Sequence, residues 1–184
     1  MKTTLGHIAT IQTGIFAKQV ANGEIAYLQV RHFDESGELV SLLHPDLKAD
    51  EVSEKHLLQA GDVLFAAKGT KNFATVFERH NPASVASTSF FVLRLQDNSV
   101  LPEYLAWYIN HPNSQSFLKG QARGTSIPSI SKSMLEMLEI SVPSVNTQQL
   151  ILKITKLRNR ESKLIRQIET LREKQIQQQI INSL

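Results

Sequence analysis

The amino-acid sequence predicts an α+β protein, in which a compact, sheet-rich domain over residues 1–146 is followed by one long helix over residues 147–184. One observation is the distribution of helix-breaking residues, because all six prolines and all eight glycines precede residue 144. The other is a series of short segments rich in β-branched and aromatic residues, which turn residues separate from one another. Strands and helices segregated along the chain in this way are typical of the α+β class.

Four segments of the first part predict β-strands, because they are rich in residues that fit a pleated, partly buried surface. They are residues 27–33, which alternate in polarity, and residues 62–67, 73–77 and 87–95. Ser36-Gly37 predicts a turn after the first strand.

Helices are predicted after the last of these strands. Pro102 favours the beginning of a helix, since proline fits the first turn, where its missing N–H is not needed. This helix is expected to end near residue 110, and a shorter one over residues 113–119 is expected to end at Gly120. Residues 130–142 predict a helical turn followed by a strand.

The C-terminal segment predicts a helix of roughly 50 Å, at 1.5 Å per residue. Asn146 or Thr147 can cap its beginning through a side-chain oxygen. Apolar residues alternate at four- and three-residue spacings, which is typical of a coiled-coil seam, and Glu161 and Gln175 interrupt it. The alternative is an amphipathic helix that packs on its own domain. The predicted seam for dimerisation comprises Leu150, Ile154, Leu157, Leu164, Ile168 and Leu171.

Several classes of function are not supported by the sequence. The chain has no cysteine, which excludes disulfide frameworks, thiolate metal sites and thiol catalysis. It has no glycine-rich nucleotide-binding motif, and its six histidines lack the spacing of a helical metal site. The acidic residues within 46–54 are interpreted as a solvated surface rather than as the metal ligands of a nuclease. We therefore expect no catalytic residues, no metal and no cofactor.

The location is expected to be the cytoplasm. No segment contains the ~18 consecutive apolar residues of a membrane span. The N-terminus also lacks the apolar stretch of a signal peptide. A soluble cytoplasmic protein without a membrane partner is the resulting expectation.

The positive charge is concentrated in the predicted helix. Residues 147–184 carry eight basic and three acidic side chains, whereas residues 1–146 carry 12 basic and 14 acidic ones. The net charge of +3 therefore does not indicate a basic nucleic-acid-binding domain. Any attraction to phosphate has to come from local basic loops.

Two polar loops could contact nucleic acid. Glycine allows the backbone to approach a ligand closely, lysine and arginine bind phosphate, and Asn, Ser and Thr can hydrogen-bond base edges. Lys18, Gln19, Gln29 and Arg31 are weaker candidates outside these loops. The first loop comprises Lys68, Gly69, Thr70, Lys71 and Asn72, and the second, over residues 119–126, contributes Lys119, Arg123, Thr125 and Ser126.

Four blocks, in order along the chain, resemble the DNA-specificity subunits of type I restriction–modification systems. Residues 61–70 (GDVLFAAKGT) resemble the G-D-[IV]-L-x-x-x-x-G block of that family, and residues 101–109 resemble its next helix. Residues 124–143 resemble the G-x-x-[IV]-x-x-[IL] segment that leads to an apolar strand and a proline. Gln148 and Ile151 match the Q-x-x-I that opens the family's long helix.

The resemblance implies a function without catalysis. A full specificity subunit of this family has two target recognition domains, each followed by a long helix, and the helices pair as an antiparallel spacer. Each domain reads one half of a bipartite site in double-stranded DNA, while the subunit holds methyltransferase subunits and, through the complex, restriction subunits. This chain contains one such domain and one helix, so it is similar to a half subunit.

The partners implied by a half subunit are a second copy, as a homodimer, or another half specificity subunit. Ser144 stands where the family often has a second proline, which affects only the entry to the helix. The alternative function is a coiled-coil protein-interaction adaptor without DNA specificity.

Overall fold

The computed structural model describes residues 1–34, 36–69, 72–121 and 129–183. The chain divides into two compact units, Met1–Val145 and Asn146–Leu184. In chain order, the strands are β1 (Lys2–Thr4), β2 (Ala9–Thr13), β3 (Ile25–Leu28), β4 (Pro45–Leu47), β5 (Val63–Ala66), β6 (Ala74–Val76), β7 (Ser84–Ala86), β8 (Phe90–Leu95) and β9 (Glu139–Ser141). The helices are α1 (Leu5–Ile8), α2 (Pro102–Asn110), α3 (Pro112–Gln121), α4 (Lys132–Glu136) and α5 (Val145–Asn182).

A four-stranded antiparallel sheet with the order β2-β8-β5-β6 organises the first unit. One of its faces buries a cluster that includes Leu64, Phe73 and Phe90. The rings of Phe33, Phe73 and Phe90 contact one another with centroids 5.6–6.1 Å apart. Aromatic rings contribute a large apolar area each, so this cluster is a main source of stabilisation for the sheet.

A second sheet has three strands in the order β4-β3-β7. Strand β3 runs antiparallel to β4 and parallel to β7. Its core cluster includes Ile25, Tyr27 and Val85. The parallel pairing sets Leu28 beside Ala86, so the carboxyl ends of β3 and β7 lie next to each other.

A short antiparallel pair joins the N-terminus to the end of the first unit. Strand β1 pairs with β9, with Thr3 opposite the buried Ile140. The hydroxyl of Tyr104 on α2 donates to the carbonyl of Ser141 at 2.7 Å. These contacts fix β9 close to both the N-terminal segment and α2.

Helix α2 covers the β6 edge of the four-stranded sheet. The Oδ1 atom of Asn110 accepts the backbone N–H of Ala74 at 2.8 Å, and its Nδ2 donates to the carbonyl of Ala74 at 2.7 Å. The side-chain amide thus pairs with edge strand β6 as a neighbouring strand would. Pairing of this kind satisfies backbone groups that an exposed edge leaves open.

Asp62 and Arg94 form a bidentate ion pair where β5 begins beside the end of β8. Arg94 Nε lies 2.8 Å from Asp62 Oδ1, and Arg94 Nη2 lies 2.7 Å from Asp62 Oδ2. The carboxylate of Asp62 is buried and also accepts the backbone N–H of Gln59 at 2.8 Å. Because Val63 is paired with Leu93, the ion pair stabilises this register of the two strands.

The α+β class and the long C-terminal helix are confirmed. Helix α5 contains 38 residues, which corresponds to about 57 Å. It begins at Val145, so Asn146 and Thr147 lie in its first turn and the predicted caps were placed too late. The six residues of the predicted seam are 48–64% exposed. Within the described residues, none of the helices combines the length and the apolar character needed to cross a bilayer.

Two strand predictions were wrong in their bounds. The segment predicted as one strand over 27–33 is β3, which ends at Leu28, and a 3-10 turn at Val30–His32. The predicted strand over 87–95 begins only at Phe90, because the backbone N–H of Phe90 donates to the carbonyl of Ser87 and closes a turn between β7 and β8. Turn hydrogen bonds override local β propensity at both places. Strands β1, β2, β4 and β7 were not predicted.

Replacing Asp62 by alanine is expected to lower the free energy of unfolding by about 2–4 kcal/mol, because the Gln59 N–H and the Arg94 guanidinium lose their acceptor. Urea unfolding of the full chain, monitored by circular dichroism, measures the change in the free energy of unfolding. Glu54→Ala removes an exposed carboxylate and is the matched control, with an expected change below about 0.5 kcal/mol. Equal losses in both variants would contradict a stabilising role of the ion pair.

Candidate nucleic-acid interface

Four strand ends of the larger sheet meet on one side of the first unit. Thr13 at the end of β2 lies opposite Phe91, and Ala66 at the end of β5 lies opposite Phe90. Ala74, which begins β6, lies opposite Phe65. The segments that follow β2, join β5 to β6 and precede β8 therefore leave the sheet at the same end. We name this surface the loop end; its described residues are 14–20, 29–32, 67–69, 72–73 and 87–89.

The chain that follows the second predicted binding loop contacts the first predicted loop at the loop end. Lys68 forms an antiparallel bridge with Ser129, and the backbone N–H of Ile130 donates to the carbonyl of Ala67 at 2.9 Å. The chain that leaves α3 at residue 121 thus returns beside the loop between β5 and β6. Lys119 is exposed in the last turn of α3.

The described residues of the first predicted loop have different roles. Lys68 is exposed. Gly69 has a φ of +103°, and a Cβ atom there would meet no described atom within 4 Å, so the backbone is open to a ligand. Asn72 donates from Nδ2 to the carbonyl of Ala66 at 2.9 Å, so part of its amide closes the loop. The other predicted contact residues, Thr70, Lys71, Arg123, Thr125 and Ser126, lie outside the described residues.

The weaker candidates from the sequence also reach the loop end. The backbone N–H of Ser87 donates to the carbonyl of Leu28, so the residues that follow β3 lie beside the turn over 87–89. Arg31 is exposed, and its Nη2 lies 3.5 Å from Gln19 Oε1. Gln19 in turn donates to Asp46 Oδ2. The guanidinium is therefore oriented by a side-chain network while it faces solvent.

His32 was not predicted as a site residue. Burial, followed by the charge of Arg31, lowers the pKa of His32, and Asp46 opposes this shift. The Nδ1 atom accepts the backbone N–H of Gln29 at 3.3 Å, so the neutral ring carries its proton on Nε2. The signal in the sequence is slight, since a histidine beside an arginine occurs on many surfaces. The arrangement gives the loop end a neutral hydrogen-bond donor.

Asp46 has a structural role near the loop end. Asp46 Oδ1 accepts the backbone N–H of Tyr27 at 2.9 Å, which joins β4 to β3. Among the residues that the structure describes, no group of three or more His, Asp or Glu side chains is arranged to hold a metal ion. The geometry at the loop end can thus offer cations, hydrogen-bond donors and exposed backbone to a large anionic ligand.

The comparisons with known proteins agree on one family. The family model described as "Type I restriction modification DNA specificity domain" matches residues 5–180. The fold is similar to the type I restriction–modification S subunit of M. genitalium, with 16% identity over 87% of this chain and a TM-score of 0.59. It is also similar to the HsdS subunit of Thermoanaerobacter tengcongensis, with 18% identity over 88% of this chain and a TM-score of 0.63.

A third solved structure is described as "Structural basis underlying complex assembly and conformational transition of the type I R-M system". It shares 16% identity over 88% of this chain, with a TM-score of 0.63. The match covers 39%, 37% and 38% of the three solved chains, so this chain spans less than half their length. No curated protein gave a significant match.

Proposed function

The chain belongs to the type I restriction–modification DNA specificity domains, and from this premise we propose that it is a half specificity subunit that reads duplex DNA without catalysing a reaction. Residues 1–146 act as the target recognition domain, and residues 147–184 pair with another helix and set the distance between two such domains. Two half-sites, separated by base pairs that are not contacted, form the target. Methyltransferase subunits bind this core, and restriction subunits join through the complex.

The convergence of polar loops at the loop end carries the DNA-binding part of the proposal. Lys68 and Arg31 are far apart in sequence but are exposed at the same end of the fold. Cations fix a protein on the phosphate backbone, whereas amide, hydroxyl and imidazole groups can read base edges in the major groove. The loop end combines both kinds of group around an open backbone at Gly69.

The exposed seam of α5 supports pairing between chains. Leucine and isoleucine side chains that remain about half exposed in one chain forgo part of the stabilisation that burial gives, so a partner helix would stabilise them. The chain is also less than half as long as the solved subunits that it resembles. Two copies related by a two-fold axis would supply two domains and two helices. A homodimer would read inverted half-sites, and a different half subunit would give an asymmetric site.

The charges beside the seam affect this pairing. The flanking e and g heptad positions include Lys153, Arg158, Arg160, Arg172 and Lys174, and no acidic residue. In a pair of identical helices these cations lie near one another, and only Glu161 within the seam offsets them. Salt screens such repulsion, so pairing of two copies should strengthen as the salt concentration rises.

Replacing Lys68, Lys71 or Arg123 by alanine is expected to weaken DNA binding, and each phosphate interaction that a substitution removes should reduce the slope of log K against log salt by about one unit. Fluorescence anisotropy with a labelled duplex at several salt concentrations measures the slope. Lys2→Ala is the control, because Lys2 is exposed on β1, which pairs with β9 and precedes β2 at the end of the sheet opposite the loop end. Unchanged binding in all three variants would remove these loops from the interface.

The double substitution Leu157→Asn and Leu164→Asn is expected to give monomers in sedimentation equilibrium, because it places two polar side chains in the apolar seam. Ser162→Asn with Gln177→Asn introduces the same residue type outside the seam without a change of charge and should leave the dimer intact. A wild-type chain that is already monomeric at high salt would contradict pairing of two copies.

Co-expression with its methyltransferase subunit tests the whole proposal. The two proteins should co-purify, and sequencing that detects methylated bases should find one bipartite motif in the genomic DNA. Co-purification without sequence-selective methylation would instead support a protein-interaction adaptor.

A further inference from the structure

Phe16 is the most exposed large apolar side chain among the described residues, at 87%. An exposed phenylalanine forgoes the stabilisation that its burial would give. Both of its neighbours are partly buried, so the exposure is not a property of the whole segment: Ile15 and Ala17 pack against the cluster around Tyr27 and Val85. Because side chains alternate along an extended chain, these two inward contacts direct Phe16 to solvent.

The backbone that carries Phe16 is held firmly. The N–H of Gly14 donates to Phe90 at 3.0 Å, and the N–H of Ile15 donates to Ala86 at 2.8 Å. The carbonyl of Ile15 accepts the hydroxyl of Tyr27 at 2.8 Å. A Cβ atom at Gly14 would lie 2.1 Å from the carbonyl oxygen of Ser87, so only glycine permits this close approach. The ring of Phe16 is thus presented from a fixed position.

Exposed lysines lie on the segments next to the one that carries Phe16. Ile15, the residue before Phe16, forms a parallel bridge with Ser87. The carbonyl of Ser89, in the same turn, accepts the backbone N–H of Ala67. The residue after Ala67 is the exposed Lys68. Lys18 is exposed two residues beyond Phe16. An apolar ring on a surface that also carries exposed lysines complements DNA, in which phosphates surround apolar groups of the bases.

We propose that the Phe16 ring contacts the C5 methyl group of a thymine in the major groove and thereby selects an A·T pair at one position of the half-site. This inference rests on the proposed function in DNA recognition. Thymine is the only standard base that presents a methyl group in that groove. A phenyl ring has no hydrogen-bonding atom, so the methyl group is the feature that it can distinguish.

The first experiment identifies the position. The full chain with its methyltransferase subunit is used to select duplexes from a random-sequence pool, alongside the Phe16→Ala variant. The preference for thymine at one position of each half-site should disappear in the variant, while the other positions persist. Met137→Ala is the control, because Met137 is 58% exposed and lies away from the loop end. The carbonyl of the next residue, Leu138, accepts the backbone N–H of Leu5, which precedes β2.

The second experiment removes only the methyl group, by placing deoxyuridine at the thymine found in the selected duplex. Wild-type affinity should fall about fourfold, as expected for the loss of one buried methyl-sized group. The Phe16→Ala variant should bind the thymine and deoxyuridine duplexes equally. Phe16→Leu should retain part of the discrimination, because its side chain is still apolar.

Three results would overturn the inference. Phe16→Ala could keep the wild-type selected sequence, or it could weaken both duplexes while preserving the difference between them. The variant could also lose binding to the methyltransferase subunit while it still selects the same DNA sequence. That result would make Phe16 a protein contact. If the wild-type complex selects no sequence at all, the proposed function fails as well, whereas a selected sequence shared by wild type and variant rejects the role of Phe16 alone.

Discussion

The pairing of β8 with β2 on one side and with β5 on the other is the constraint on which the candidate interface depends. Both pairings are antiparallel, so β2 and β5 end where β8 begins. Segments that are far apart in sequence therefore leave the sheet at one end. At the opposite end of β5, the ion pair between Asp62 and Arg94 stabilises the same register. A slip of one residue would reverse the facing of every side chain in the strand.

Polar side chains of the first unit serve either the fold or the surface. Asp62 and Asn110 are bonded to neighbouring chain segments, and part of the Asn72 amide closes its loop. Buried polar groups need such partners, because an unsatisfied group costs free energy. Lys68, by contrast, is exposed beside an open backbone. This division explains why the domain can lack a net positive charge and still expose cations at the loop end.

The sequence predicted the elements with strong local signals. Helix α5 follows from 41 residues without proline or glycine, and α2 from a proline in its first turn. The G-D-V-L segment was correctly assigned to a strand, and the structure adds a role for its aspartate as the partner of Arg94. Strands β1, β2 and β4 contain no aromatic residue and no run of apolar residues, so they lack the local signal that marked β5, β6 and β8. Their positions follow from pairing with distant strands.

The sequence by itself determined the α+β class, the long helix with its apolar seam, and the order of blocks that indicated the family. It also identified Lys68 and Arg31 as separate candidates without a relation between them. Only the tertiary structure decided that the loops after β2, β3 and β5 share one end of the domain, and that Phe16 is exposed while both its neighbours are packed inside. The reason is physical: long-range backbone pairing sets which segments are neighbours, and no local pattern of residues specifies that register.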